Sequence, residues 1–485
     1  MAAPVSNSVS PDPALVALNR FGFGAKTGDN LGKIAADPRG YLKVEIRQQD
    51  IALISPDDPE NAGLLDSTAA IQASMTAVME RKAARDEKAA AAMQPTAAED
   101  PAGPTGPKAK PAVPRVEADI YRDEAQARFD KALAATPGFV ERLVGFWSNH
   151  FCVSVAKAPV VRACAGAFER EAIRPFVLGR FADMLLAVEH HPAMLFYLDN
   201  QQSIGPDSRA GKRRGRGLNE NLAREVLELH TLGVGSGYAQ ADVTSFAGML
   251  TGWMMAGREG RLGEPGSFIF NANAHQPGKA VLLGKTYPDG GMGQAEAALN
   301  DIARHPATAR HIATKLARHF IADDPPPAAV ARLATVFTKT DGDLRAIALT
   351  LIDMPEAWST PLTKLRAPLD FVVALRRAVG ATAGNEPQRS LRWLSVLGQP
   401  LWQPPGPNGF PDQTDAWASA EGLKTRLDIA WQAAKQADDI GDPDEALASL
   451  IGASVSAETR QAISRAESKQ QGLALLLMAP EFQRR

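Results

Sequence analysis

Apolar residues recur along this chain at the three- and four-residue spacing that lays a single stripe on a helix, and they do so almost from end to end. The spacing predicts helices over 29–37, 39–48, 66–91, 116–135, 138–153, 161–175, 179–188 and 192–199. It predicts more over 292–304, 307–321, 327–338, 341–353 and 363–379, and a last set over 420–436, 443–451, 456–465 and 469–478. Period-two alternation shows at 267–287, SFIFNANAHQPGKAVLLGKTY. There Phe268 and Phe270 alternate with their neighbours, Gln276, Pro277, Gly278 and Lys279 read as a turn, and Val281 begins a return strand toward Leu283. Both patterns stop over 93–115, MQPTAAEDPAGPTGPKAKPAVPR, a Pro-, Ala- and Gly-rich stretch expected to be a disordered insertion.

The expected fold is therefore all-α, a multi-helix globular array with one small β-hairpin near 267–287. An N-terminal helical part over 1–92, the insertion, a central core over 116–400 and a C-terminal part over 401–485 are expected to form one continuous domain.

The densest polar patterning lies in 217–253, GLNENLAREVLELHTLGVGSGYAQADVTSFAGMLTGW, which reads as two amphipathic helices joined by a glycine-rich turn. On a wheel at about 100° per residue, a helix over 218–232 places Glu220, Asn221, Arg224, Glu225 and Glu228 on one face. Leu222, Val226, Leu227 and Leu229 fall on the other, with His230 among them, so the imidazole and the carboxylates diverge. Gly233 is placed to end the helix in a left-handed cap. The polar face has two readings. In one it is a solvated surface with i,i+4 ion pairs from Arg224 to Glu220 and Glu228. In the other it lines a cleft, with Glu225 or Glu228 as a base and Asn221, Arg224 or His275 binding a polar or anionic substrate.

Charge narrows the partners. Across 485 residues, 53 basic and 55 acidic side chains leave a formal net charge of −2, which gives no field favouring nucleic acid or an anionic membrane. The basic run DSRAGKRRGRG has no interleaved aromatic residues for base stacking and reads as a surface loop. Two cysteines, Cys152 and Cys164, cannot form a disulfide scaffold, and no C-x-x-C pair suggests zinc. The N-terminus lacks a basic segment followed by an apolar one, and no run approaches the ~20 apolar residues of a membrane span. The expected compartment is the cytoplasm, or an extracytoplasmic one if an export signal precedes this start.

Familiar catalytic signatures are missing. GFGAKTG over 22–28 lacks phosphate-loop spacing, GVGSG lacks a βαβ context, and neither H-E-x-x-H nor G-x-S-x-G occurs. What remains is a set of inward histidines: His150 shares a stripe with Phe139, Leu143 and Phe146, His319 with Ile312 and Leu316, and His230 lies among its leucines. If they converge, His150, His230 and His319 are candidate ligands for a divalent metal; otherwise each is a hydrogen-bonded core histidine and no cofactor is called for. His190, His191, His305 and His311 read as helix-end or surface residues.

LNRFGFGA, FWSNHF, HHPAMLFYLDN, GLNENLAREVLELHTLGV, DVTSFAGMLTGW, FNANAHQPGKAVLLG, KLARHF and APEFQRR, in that order, resemble the domain-of-unknown-function family DUF1800 over nearly the whole chain. The resemblance implies a largely helical bacterial protein. Many relatives look exported, and they often neighbour a second family resembling alkaline phosphatases and sulfatases, a candidate protein partner. It concentrates the family's character at 147–150, 219–230, 250–253 and His275, which adds Asn149 to the binding candidates. The functional expectation is a helical binding or assembly component linked to an export or envelope system. The alternative is a hydrolase using the helix face of Asn221, Arg224, Glu225 and Glu228, with or without a metal.

Overall fold

The computed structural model describes residues 12–26, 29–92, 115–214, 217–381, 387–437 and 442–485. Helices dominate it, and their sequence patterning accounts for where most of them start. Proline, whose fixed φ suits the first turn and whose missing N–H is not needed there, opens the helices Pro38–Arg47, Pro159–Phe168, Pro306–Phe320, Pro327–Lys339 and Pro368–Ala378. Side-chain caps do the same work elsewhere: Asp343 accepts from the Ala346 amide before Leu344–Asp353, and Ser419 from Gly422 before Ala420–Lys435. The helix Phe139–His150 begins at Gly138, which has no side chain to offer. Glu45, from the Pro38–Arg47 helix, supplies the missing acceptor at 2.8 Å from the Phe139 amide. The disordered insertion expected over 93–115 lies outside the described residues but for Arg115.

One hydrophobic cluster runs from Ala14 to Phe482, with Trp147, Phe151 and Phe181 packed ring against ring within it. Cys152 and Cys164 are buried free thiols within this core. Among the described residues no helix is long and apolar enough to cross a membrane.

Three features depart from the sequence pattern. The strand Phe268–Phe270 pairs with Trp253–Met255 rather than folding back on 281–283. The hairpin proper is Ala280–Leu282 with Lys285–Tyr287, so the β structure is two separate two-stranded antiparallel pairs. Alternation at 267–287 marked the strands but not their partners, because pairing is a long-range choice.

The second departure is the polar helix, which starts at Asn221 and becomes a π turn over Val226–His230. The wider turn swings the last residues relative to an α-helical wheel. Thr231 Oγ1 donates to the Val226 carbonyl at 2.6 Å, a side-chain bond at the end of the π turn. The segment expected as one helix over 161–175 likewise passes into a π turn, Glu169–Ile173. There Arg174 reaches Glu169, five residues back, at 3.0 Å. Third, part of the basic run is not a loop: Arg209–Arg214 is a short helix.

Candidate functional site

Four helices, Val116–Ala134, Phe139–His150, Pro306–Phe320 and Pro368–Ala378, and one loop line a cavity of about 380 Å³. Phe139–His150 contributes Arg142, Phe146, Asn149 and His150, which share a face at spacings of three and four. Pro306–Phe320 contributes Lys315, Arg318 and His319 by the same periodicity. The loop 399–413 closes the third side with Phe410 and Asp412, and Asp370 enters from the first turn of Pro368–Ala378.

The loop is pinned at the helix end. Asn149 Nδ2 donates to the Phe410 carbonyl at 2.9 Å, and its Oδ1 accepts from the Phe410 amide at 2.8 Å. Both ends of that amide are thus committed to the loop. Gly409 permits the approach: at φ +77° a Cβ there would stand 2.4 Å from the Asn149 carbonyl oxygen.

In the cavity wall, four of its side chains and Arg485 form a closed ring. His319 Nδ1 lies 2.9 Å from Asp412 Oδ2; Arg485 Nη2 donates to Asp412 Oδ1 at 3.1 Å; and Arg485 Nε is 3.1 Å from Asp370 Oδ2. Asp370 pairs with Arg142 at 2.5 Å, and Arg142 Nη2 donates to His319 Nε2 at 3.1 Å. The ring fixes the imidazole's protons. An arginine can only donate, so Nε2 accepts, and the single proton sits on Nδ1 toward Asp412. Burial agrees, lowering His319 to about 4 against the pull of Asp412. Burial would raise the Asp412 carboxyl, but His319, Arg485 and Lys364 hold it well below the usual range.

His150 is neutral as well. Its Nε2 donates to the His230 carbonyl at 3.1 Å, leaving Nδ1 to accept from Lys315 Nζ at 2.8 Å. Burial, then the adjacent Lys315, hold its pKa well below the ordinary imidazole range. Burial also pulls Lys315 down to about 8. Neither Lys315 nor Arg318 has a carboxylate within ion-pair distance among the described residues; Arg318 donates to the Asp323 carbonyl. Arg128 and Arg142, the cavity's other cations, are matched by Glu169 and Asp370. The cavity therefore carries unbalanced positive charge on one wall, beside two neutral imidazoles.

The other sequence candidates lie elsewhere. Glu220 accepts from Thr244, Gln240 and Arg224; Arg224 also approaches Glu228 at 3.5 Å; and Asn221 Nδ2 donates to the Leu198 carbonyl. Their side chains are about one-third exposed, which makes this face a surface ion-pair lattice between two helices. Glu225 is half-buried beside them, its pKa raised by burial and by Glu228. His275 is buried against the Trp253–Phe270 strand pair, with Nδ1 2.9 Å from the Thr251 carbonyl. None of these residues lines the cavity.

The three inward histidines each have protein partners of their own. His230 Nδ1 is bonded to Glu189 at 2.8 Å, His150 is engaged at both nitrogens with a lysine on one side, and His319 faces Asp412 and Arg142. No group of three or more His, Cys, Asp or Glu able to hold a metal occurs among the described residues. His311, expected at the surface, is partly buried with Nε2 3.2 Å from the Leu229 carbonyl and its ring 6.3 Å from that of His150. His191 and His305 do sit at helix ends, where each Nδ1 accepts from the amide two residues on.

Lys315, Arg142, Asp370, Asp412 and Arg485 carry the site and were not singled out by pattern. Only Lys315 and Arg318 had a local signal, as polar positions beside the apolar stripe of KLARHF. The family described as "Protein of unknown function (DUF1800)" matches residues 16–484. The chain belongs to the DUF1800 family. That match spans every wall of the cavity, so the site is built from the DUF1800 domain itself. No curated protein and no solved structure matches this DUF1800 chain.

Proposed function

We propose that this protein binds a small anionic ligand in the cavity and uses the Lys315–His150 pair to transfer a proton to or from it. The observation that carries the reading is the placement of Lys315 and Arg318: two cations on a cavity wall without a carboxylate partner among the described residues. An anion would complete that wall. Lys315 then has the properties of a general acid or base near neutral pH, since at pKa about 8 roughly a tenth of it is free amine at pH 7. The hydrolase reading takes a new location on this view. The same pair would activate water in the cavity, whereas the Asn221–Glu228 face lies outside it. The assembly reading rests on a different feature, the exposed stripe Leu423, Leu427 and Trp431 on Ala420–Lys435. Unmatched charge in an enclosed site is the more specific indication, because surface apolar residues need no ligand to explain them.

Two measurements test the proposal together. In thermal-shift titrations with acetate and inorganic phosphate, wild type should show saturable stabilisation by at least one, about tenfold weaker in Lys315→Met. Acylation of Lys315 by acetic anhydride, followed by mass spectrometry, should have its midpoint near pH 8. Equal stabilisation of both proteins, or a lysine that acylates only above pH 10 like a surface amine, would sink the reading.

A further inference from the structure

Gly145 occupies the middle of Phe139–His150, where glycine is a poorer helix former than any residue but proline. Steric need explains other glycines of this fold. At Gly166 a Cβ would stand 2.4 Å from Glu124 Cβ, and at Gly22 the same distance from the Pro137 carbonyl. At Gly145 a Cβ would meet nothing within 4 Å. No tight packing or left-handed backbone accounts for it, and the space it leaves open belongs to cavities.

Gly145 lines the site cavity and also a second, smaller one of about 50 Å³. The two share Arg128, Asn149, Leu369, Gln399 and Phe410, so they adjoin across this helix. Their chemistry differs. Lys315, Arg318 and His319 belong to the first alone, while to the shared residues the second adds Ser148, Cys152 and a mainly apolar set, Val153, Leu394, Leu401, Trp402 and Pro404. One end carries two cations without carboxylate partners among the described residues, and the other is mainly apolar with its one cation, Arg128, paired to Glu169, with a side-chain-free helix position between them.

We infer that the ligand is an amphipathic carboxylate, its head held by Lys315 and Arg318 and its unbranched hydrocarbon tail running past Gly145 into the smaller cavity. This rests on the anion-binding reading above and adds the substrate class. Bulk at position 145 would occupy the tail's path. Burial of each further methylene should strengthen binding about fourfold, the equivalent of ~0.8 kcal/mol, until the smaller cavity is full.

The test is calorimetric titration of wild type, Gly145→Ala and Gly145→Leu with acetate, butyrate, hexanoate and octanoate. In wild type the affinity should climb with chain length and then level off. In Gly145→Leu the ratio of octanoate to acetate affinity should collapse toward one, with Gly145→Ala between. Without ligand, Gly145→Ala should melt above wild type, since the helix gains a better former and no clash. A flat series in wild type, or a ratio unchanged in Gly145→Leu, overturns the tail path. If binding is flat but still lost in Lys315→Met, the anion site survives and the tail does not; if no carboxylate binds at all, both fall.

Discussion

The individual side chains of the site owe their protonation to what they touch. His319 and His150 are neutral chiefly because burial disfavours the imidazolium, and each also has a nitrogen facing a cation, Arg142 in one case and Lys315 in the other. Asp370 has the opposite role, joining Arg142 and Arg485 with almost no exposure of its own. Burial would push its carboxyl up, and those two arginines hold it down. Removing that charge leaves the buried Arg142 guanidinium without a carboxylate and Arg485 with Asp412 alone. Asp370→Asn should therefore cost about 3–5 kcal/mol in urea denaturation; a loss under ~1 kcal/mol would mean that the ring is solvated. None of these pairings could be read from spacing, since Arg142, Asp370, Asp412 and Arg485 are far apart in sequence. Sequence patterning did mark His150 and His319 as inward, because an apolar stripe is a local property of a helix.

At the scale of elements, existence and type followed from periodicity, while partners and irregular turns did not. The αα-hairpin of Asn221–Glu225 and Gln240–Leu250 is where the pattern placed it. Its most charged face is a surface lattice rather than a site, since what makes a polar face functional is the element opposite it. Arg224, Glu220 and Glu228 are 37%, 32% and 26% exposed, so Arg224→Ala should cost under about 1 kcal/mol. A loss above ~2 kcal/mol on chemical denaturation would show that this face is buried in solution. The π turns at Glu169–Ile173 and Val226–His230 were not legible either: both serve contacts to distant residues, His230 with Glu189 and Arg174 with Glu141. The misjudged strand partner of Phe268–Phe270 has the same origin, as Trp253–Met255 reaches it only once the intervening chain has folded back.

Across the whole molecule the buried imidazoles set a response to acid. Burial is the leading cause that lowers His190, His311 and His319 to about 4, and His150 well below 6.5. In the unfolded chain they take up protons near 6.5, and the folded protein resists until about 4, so the unfolded state binds more protons across that window. The imidazole contribution to stability is thus complete above 6.5 and falls as the pH falls toward 4, opposed in part by Glu45, whose carboxyl is raised by burial to about 7. The melting temperature should drop by several degrees between pH 7 and 4.5, before Asp370 and Asp412, whose pKa values are held down, begin to protonate. A melting temperature level over that range would show that the folded imidazoles are not held neutral. The sequence by itself determined the helical class, most helix positions, the inward histidines and the family, because each is written in local periodicity or in ordered motifs. The cavity, the five-residue ring, the lack of a carboxylate partner for Lys315 and Arg318 among the described residues and the open space at Gly145 were decided only by tertiary structure, since charge balance and free volume depend on which surfaces meet.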